Sequence, residues 1–262
     1  MNRVAFNIFG FNVYYYSLCI LLGVIVAYIL ITREGKKQGL PKEFISDLIF
    51  YTLIIGILGA RVYYCVFNLD YYLANPLEIL KIYNGGLAIH GGVIAGLIFV
   101  YFYTKKKNVS FIKILDIVAP AVIIAQSFGR WGNFFNQEAH GGITTYQNLK
   151  NMHIPEFIIN GMHIEGKYYY PTFFFESIWC LIGFIILMIA RRNKNLRKGF
   201  QIGFYFIWYG IGRFFIEAFR TDSLMFFGLK IAQIVSLIGI IIGIIIIVTN
   251  KNKKYYNEME VK

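Results

Sequence analysis

Charged residues are scarce in this chain of 262 residues. They make up 15% of the sequence, whereas 57% of the residues are hydrophobic and 18% are aromatic. Soluble domains carry about 25% charged residues. A soluble fold is excluded, because there are too few polar side chains to cover the hydrophobic core that this composition would form. The high apolar fraction also excludes intrinsic disorder, so the composition indicates an integral membrane protein.

Cysteine and several other signals are also rare or missing. The three cysteines, Cys19, Cys65 and Cys180, all lie in apolar runs, so they form neither a disulfide framework nor a metal-ligand cluster. We expect no metal and no organic cofactor. The last apolar run, Ile231–Asn250, has no lysine, which argues against a retinal-binding photoreceptor. No fixed-period repeat is found, which weakens the interpretation as an inverted-repeat transporter.

The chain does contain a series of apolar segments long enough to cross a bilayer, for which about 20 mostly apolar residues are needed. Three runs carry no formal charge: Val4–Thr32, Ile82–Thr104 and Ile231–Asn250. Four others carry a charge near one end. The sequence therefore predicts an all-α membrane protein, a single transmembrane domain over residues 1–262 with seven helices. We place them at about 13–32, 46–67, 87–104, 113–130, 172–190, 199–219 and 230–249.

The distribution of basic residues predicts the orientation of these helices. The net charge of +12 first points to nucleic acid, but 17 of the 26 lysines and arginines follow helices one, three, five and seven. Such an excess marks the cytoplasmic side. The N-terminus is then outside, the tail at about 251–262 is cytoplasmic, and nucleic acid is not an expected partner. Residues 131–171 form a small extracytoplasmic cap, in which Asn160-Gly161 between apolar triplets predicts a β-hairpin.

With this orientation, polar groups from six helices share one layer in the outer half of the bilayer. Ionisable groups inside a span are costly and usually mark a functional site. The members of this layer are Tyr14–Tyr16, Arg61, His90, Arg130, Glu176, Arg213 and Glu217. A transporter is expected to place such groups at the midplane or along a path through both leaflets, so the layer favours an enzyme. A polytopic transporter or a lipid-binding membrane protein remains the alternative.

Two segments of this layer stand out. On helix six, Tyr209, Arg213, Glu217 and Arg220 are spaced four, four and three residues apart and share one face. Taken alone, the Arg213–Glu217 pair is as consistent with helix packing as with function. His90 lies between two glycine pairs, which allow either close approach of a ligand or close contact between helices.

The segment that leaves helix four resembles a known signature. It reads Gly129-Arg130-Trp131-Gly132-Asn133-Phe134-Phe135-Asn136-Gln137-Glu138 and ends at Gly141. This is similar to G-R-x-G-N-F-x-N-x-E-x-x-G of the prolipoprotein diacylglyceryl transferase family. Further matches follow in the family's order over residues 13–222: Tyr15-Tyr16, Gly59-Ala60-Arg61, His90 with its glycines, Asp116…Pro120, Pro171-Thr172…Glu176 and Tyr209…Arg220. Tyr15 and Ser17 depart from the W-Y-G element of the family, while its tyrosine is kept at Tyr16.

The resemblance implies an enzyme of the bacterial plasma membrane. Such an enzyme moves the diacylglyceryl group of phosphatidylglycerol to the lipobox cysteine of a prolipoprotein signal peptide, forms a thioether and releases glycerol phosphate. Its partners are these two substrates and the surrounding membrane lipids. The resemblance assigns the phosphatidylglycerol headgroup to Arg130, Asn133, Glu138, Gly141 and Arg61. It assigns the catalytic roles to His90, Arg213, Tyr16 and Glu217.

Elementary chemistry agrees with these roles. A free thiol has a pKa of about 8.5 and attacks as the thiolate, so a base that works near neutrality, such as His90, could take the proton. Arg130 and Arg213 in a low-dielectric layer would stabilise the charge of the leaving phosphate. Alternatively, Arg213 with Glu217 positions the cysteine and His90 only supports the backbone.

Overall fold

The computed structural model describes residues 3–8, 10–221, 225–226, 228–250 and 256. These residues fold mainly into helices, which are α1 (Tyr15–Lys37), α2 (Lys42–Val66), α3 (Leu69–Ala74), α4 (Ile89–Lys106), α5 (Phe111–Asn136), α6 (Tyr146–Asn151), α7 (Glu156–Gly161), α8 (Thr172–Ala190), α9 (Phe200–Phe219) and α10 (Ile231–Thr249). Two 3-10 turns, Pro76–Leu80 and Ile82–Asn84, precede α4. The strands are short: β1 (Val4–Ile8), β2 (Phe11–Tyr14), β3 (Ile143–Thr144), β4 (His163–Ile164), β5 (Lys167–Tyr169), β6 (Met225–Phe226) and β7 (Leu229–Lys230).

Seven of the helices in the described residues match the seven segments expected from the sequence. Five of them, α1, α2, α5, α8 and α10, are long and apolar enough to cross a membrane by length and composition. The protein is therefore an all-helical membrane protein. The predicted tail at 251–262 lies outside the described residues except for Tyr256.

Three helix ends differ from the prediction. α1 continues to Lys37 and α2 begins at Lys42, since the basic residues expected in a loop are good helix formers. α5 continues to Asn136 instead of ending near residue 130. The prediction ended this helix at its first polar cluster, but Phe134 is buried on the helical face that follows. Residues 131–136, expected in the cap, are thus helical.

The described chain forms two compact units. One contains the residues up to Ile31 and those from Leu115 onward, and the other is Thr32–Ile114. We call them the large unit and the small unit. In the small unit, α2 packs closely on α4 because glycines face each other: a side chain on Gly92 would lie 3.0 Å from the carbonyl oxygen of Gly56, and one on Gly59 would lie 2.8 Å from that of Gly91.

The helices of the large unit are joined by specific contacts. α8 and α9 carry a stacked pair of indoles, Trp179 and Trp208, with ring centroids 4.2 Å apart. Each indole N–H donates to the backbone carbonyl of the other residue, at 2.8 and 2.9 Å. At the start of α9, the buried carboxylate of Asp116 accepts hydrogen bonds from the backbone N–H groups of Gly199 and Ile202, at 2.5 and 2.9 Å. These contacts fix the helix that carries Arg213.

The cap lies within the large unit and has its own core. The buried side chains are Phe134, Leu149, Ile154, Ile158, Ile159, Met162 and Phe173. Its sheet has the order β3-β5-β4, with antiparallel pairs throughout. Tyr146 donates to the carboxylate of Glu156, at 3.0 Å. This bond raises the pKa of the Tyr146 hydroxyl, so the phenol stays protonated and keeps donating at physiological pH.

The predicted hairpin at Asn160-Gly161 is wrong in its position. These two residues end helix α7, because Ile158 and Ile159 are buried against the cap core on a helical turn. The observed hairpin joins β4 to β5. Its turn is formed by Glu165 and Gly166, which both have positive φ, at 49° and 78°, as such tight turns require.

Candidate active site

A cluster of buried charges lies between α5, α8 and α9 of the large unit. Its centre is the carboxylate of Glu176, which is 3% exposed. One oxygen lies 2.7 Å from Nη2 of Arg130, and the other lies 3.0 Å from Nη1 of Arg213. A single carboxylate on α8 therefore holds together the two arginines that the sequence predicted as phosphate ligands.

The face predicted on α9 is present. Nη2 of Arg213 lies 2.5 Å from Oε2 of Glu217, one turn along the helix. Nε of Arg220 lies 3.9 Å from the same oxygen. Tyr209, one turn before Arg213, donates to Glu176 at 3.2 Å. The helical spacing thus directs all four side chains towards the same cluster.

The signature residues on α5 surround Arg130. Its Nη1 lies 3.5 Å from the side-chain oxygen of Asn133, at the outer limit of a hydrogen bond. Asn133 in turn donates to the carboxylate of Glu138 at 2.9 Å, and Asn136 donates to the same oxygen at 3.3 Å. This chain of contacts holds the loop after α5 near the arginine.

Gly141 and Tyr16 also belong to the large unit. The backbone N–H of Gly141 donates to the carbonyl of Tyr170 at 2.9 Å, and a side chain there would lie 2.8 Å from Cβ of Tyr170. Gly141 therefore permits a close backbone contact. The ring of Tyr16 packs on Gly132, where an added Cβ would lie 2.6 Å from it. This places Tyr16 beside the helical turn that carries Arg130.

The remaining two predicted site residues lie in the small unit. His90 is exposed in the first turn of α4, and its ring centroid is 6.4 Å from that of Tyr63. Arg61 on α2 is 6% exposed and donates to four backbone carbonyls, described below. The structure thus brings together Arg130, Asn133, Glu138, Arg213 and Glu217 within one unit and places His90 and Arg61 together in the other.

Glu176 and Tyr209 were noticed in the sequence but given no role in the predicted site. The signal for Glu176 was its carboxylate inside an otherwise apolar span. The signal for Tyr209 was its spacing of four residues from Arg213. Their partners lie on other helices, so helical periodicity alone does not reveal them.

The cluster can bind an anion. An arginine carries five N–H donors in a planar fork that matches phosphate oxygens. Within the described residues, Arg213 donates from Nη1 to Glu176 and from Nη2 to Glu217, which leaves donors on the same guanidinium for a ligand. Fold and site together define a helical membrane protein with a largely buried cluster of arginines and carboxylates.

Comparison with known proteins identifies the family. Residues 3–249 match the family model of prolipoprotein diacylglyceryl transferase. Phosphatidylglycerol–prolipoprotein diacylglyceryl transferase of Bacillus cereus strain G9842 is 48% identical over 251 residues, which cover 96% of this chain and 93% of that protein. Proteins of the same name from Bacillus cytotoxicus and Bacillus thuringiensis subsp. konkukian are 47% and 48% identical over the same shares. The chain belongs to the prolipoprotein diacylglyceryl transferase family.

This result confirms the family expected from the signature around Arg130. The relatives are bacterial transferases, and the activity in their name agrees with the expected reaction. The apolar helices and the family make this chain a bacterial membrane protein.

Proposed function

We propose that the protein transfers the diacylglyceryl group of phosphatidylglycerol to the lipobox cysteine of a prolipoprotein. The sulfur forms a bond to the glycerol carbon, and the bond from that carbon to the phosphate oxygen breaks. The thiol proton passes to a base, and the headgroup leaves as glycerol phosphate. The observation that carries the proposal is the convergence of Arg130 and Arg213 on one buried carboxylate.

The arginines are the proposed phosphate ligands. In a poorly solvated site, fixed donors aimed at a developing charge lower the barrier more than they do in water. Glu176 holds the two guanidinium groups near each other, and Glu217 orients Arg213. Asn133 and Glu138 support Arg130 from its own helix and loop. Gly141 shapes the headgroup pocket on the loop side.

His90 is the proposed base. Its position in the first turn of α4 leaves the imidazole exposed, as a group that exchanges protons with a substrate must be. Histidine is the side chain most suited to accepting a proton near neutrality, so it is a suitable base for the thiol. Tyr16, packed on Gly132, is proposed to contact the reacting groups.

The proposed topology rests on the distribution of basic residues and agrees with how the two substrates would arrive. Adding α4 and α9 to the five candidate spans gives seven, with the N-terminus outside the bacterial inner membrane and the C-terminus in the cytoplasm. The charged cluster then lies in the outer half of the bilayer. Phosphatidylglycerol reaches it laterally through the lipid, and the prolipoprotein reaches it as a membrane-anchored signal peptide.

The test is a transfer assay with the purified full-length protein, phosphatidylglycerol and a lipobox peptide, read by mass spectrometry. We expect the peptide to gain the mass of one diacylglyceryl group. A peptide with serine in place of the cysteine and vesicles of phosphatidylethanolamine are the controls. If the cysteine peptide gains no mass, the proposed activity is refuted.

Two variants test the roles within that assay. His90→Asn should lower kcat by about 10²–10⁴, the usual contribution of a general base. His153→Asn, the same change at an exposed residue of the cap, is its control. Arg213→Lys keeps the charge but loses the fork, so kcat/KM for phosphatidylglycerol should fall at least tenfold, while Arg33→Lys should not change it. Full activity of either site variant would contradict the role proposed for that residue.

A further inference from the structure

Arg61 has an unusual set of partners for a residue expected to bind a headgroup. Its Nε donates to the carbonyl of Ile79 at 2.9 Å, and its Nη2 donates to that of Glu78 at 2.5 Å. Its Nη1 donates to the carbonyls of Gly85 and Gly86, at 2.8 and 2.9 Å. We call this arrangement the Arg61 clamp. One buried side chain of α2 thus holds two separate stretches of the segment that precedes α4.

The clamp leaves too few N–H donors on Arg61 for a bidentate contact with a phosphate. A guanidinium has five N–H donors, and four hydrogen bonds go to carbonyls. A bidentate contact with phosphate needs two parallel donors. Space is not the limit, since a cavity of about 470 Å³ lies beside Arg61, Tyr64 and Tyr72. The hydrogen bonds, rather than the available volume, therefore direct the side chain to the backbone.

The clamped segment leads directly into the helix of His90. The N–H of Ala88 donates at 3.0 Å to the carbonyl of Ala60, the residue before Arg61. α4 begins at Ile89, and His90 is its second residue. The first turn of α4 is thus tied to α2 at Arg61 and at the residue beside it.

The glycine pair before α4 is explained by the same contacts. Gly85 and Gly86 have φ of 87° and 73°, a region that other residues enter only with strain. This backbone shape directs two successive carbonyls at Nη1 of Arg61. A side chain on Gly86 would also meet Arg61 and the ring of Tyr64. The backbone shape of the pair therefore serves the clamp.

We infer that Arg61 is a positioning residue for His90 and not a ligand of the phosphatidylglycerol headgroup. By holding the carbonyls of residues 78, 79, 85 and 86, it sets where the first turn of α4 begins and where the imidazole lies. This inference rests on the proposed function, in which His90 is the base. It replaces the headgroup role that the resemblance implied for Arg61.

The test is a double-mutant cycle with Arg61→Lys and His90→Asn in the full-length protein. Lysine keeps the charge, but its single ammonium does not reach the four carbonyls as a planar fork does. We expect Arg61→Lys to lower kcat at least tenfold, with KM for phosphatidylglycerol within twofold of wild type. In the His90→Asn background, Arg61→Lys should change kcat by less than twofold, because a residue that acts through His90 has no further effect once the imidazole is gone. Arg33→Lys is the matched control.

Hydrogen exchange of the backbone provides a readout independent of catalysis. In Arg61→Lys, exchange should increase at the amides of residues 81–88, including that of Ala88, and remain unchanged elsewhere. If the wild type transfers nothing, the proposed function fails, while this measurement still tests the clamp. If Arg61→Lys does not fold, Gly86→Ala tests the clamp from the other side in the same cycle.

Three results would overturn the inference. A tenfold rise in KM at constant kcat would make Arg61 a headgroup ligand. Effects that multiply in the double variant would mean that Arg61 does not act through His90. An unchanged kcat, with or without altered exchange, would show that the reaction does not need the clamp.

Discussion

Replacing Glu176 with glutamine removes a carboxylate that Arg130 and Arg213 share. The substitution keeps the size of the side chain and takes away its charge. Both arginines are mostly buried, with side chains 21% and 15% exposed. Without Glu176, Arg130 loses its carboxylate partner in a poorly solvated site while Arg213 keeps Glu217, and we expect the folded state to lose stability.

The magnitude follows from the two distances. At an effective dielectric constant of about 20, unit charges about 3 Å apart attract by about 5–6 kcal/mol. Desolvation offsets part of this gain, and removing one partner of a buried pair usually costs about 3–5 kcal/mol. We therefore expect Glu176→Gln to lower the free energy of unfolding by about 3 kcal/mol. For a chain of this size, this corresponds to a decrease in Tm of about 6–12 °C.

The assay is thermal unfolding of the purified protein, with phosphatidylglycerol or with phosphatidylethanolamine. The phosphate of an anionic lipid would supply the charge that the variant lacks, so phosphatidylglycerol should raise the Tm of Glu176→Gln more than that of the wild type. If phosphatidylglycerol binds the variant ten times more tightly than it binds the wild type, it stabilises the variant by about 1.4 kcal/mol more. Glu156→Gln, which removes a carboxylate from the cap, is the control and should show no lipid-specific gain.

Two outcomes would refute this reasoning. A decrease in Tm of less than about 2 °C would show that Glu176 is not what holds the arginines in place. An equal effect of phosphatidylglycerol on variant and wild type would show that the lipid phosphate does not bind where the carboxylate was.

Three further predictions concern the start of α9 and close packing at two glycines. Asp116→Ala leaves two buried N–H groups at the start of α9 without their acceptor, so the free energy of unfolding should fall by about 2–4 kcal/mol. The KM for phosphatidylglycerol should stay constant. A decrease of less than about 1 kcal/mol in the free energy of unfolding, measured by denaturation, would contradict this. Gly132→Ala should displace the ring of Tyr16 and lower kcat about tenfold with little change in Tm, and a wild-type kcat would refute a role for that ring. Gly91→Ala forces α2 and α4 apart at Gly59, so calorimetry should show a loss of about 1–3 kcal/mol, and an unchanged Tm would be inconsistent with the close contact.

The helices could be predicted from the sequence because each apolar run is long and carries few charged residues. The ends were harder to predict, as α5 shows: its apolar positions continue through Phe134, but the polar residues around Arg130 look like a loop. The cap was harder still. Asn160-Gly161 has the composition of a turn, but burial of Ile158 and Ile159 in a shared core decides for a helix. Such tertiary contacts override local signals.

The candidate site, too, could be predicted from the sequence only in part. The spacing of Tyr209, Arg213 and Glu217 was sufficient to predict their shared face, because that contact is made within one helix. The link from Arg130 through Glu176 to α9 joins three helices, so it depends on packing that no single segment encodes. The partners of Arg61 were invisible for another reason: they are backbone carbonyls, which every residue has, and they leave no mark in the sequence except the glycines at the turn.

The indole pair of α8 and α9 gives the protein a built-in optical probe. The chain has three tryptophans, and two of them, Trp179 and Trp208, stack with their planes 13° apart. Rings this close couple electronically, so their circular dichroism depends on how the two helices are aligned. Trp179 lies three residues after Glu176, and Trp208 lies five before Arg213. A shift between the helices that carry these charges is therefore readable in the native chain, during turnover and without any label.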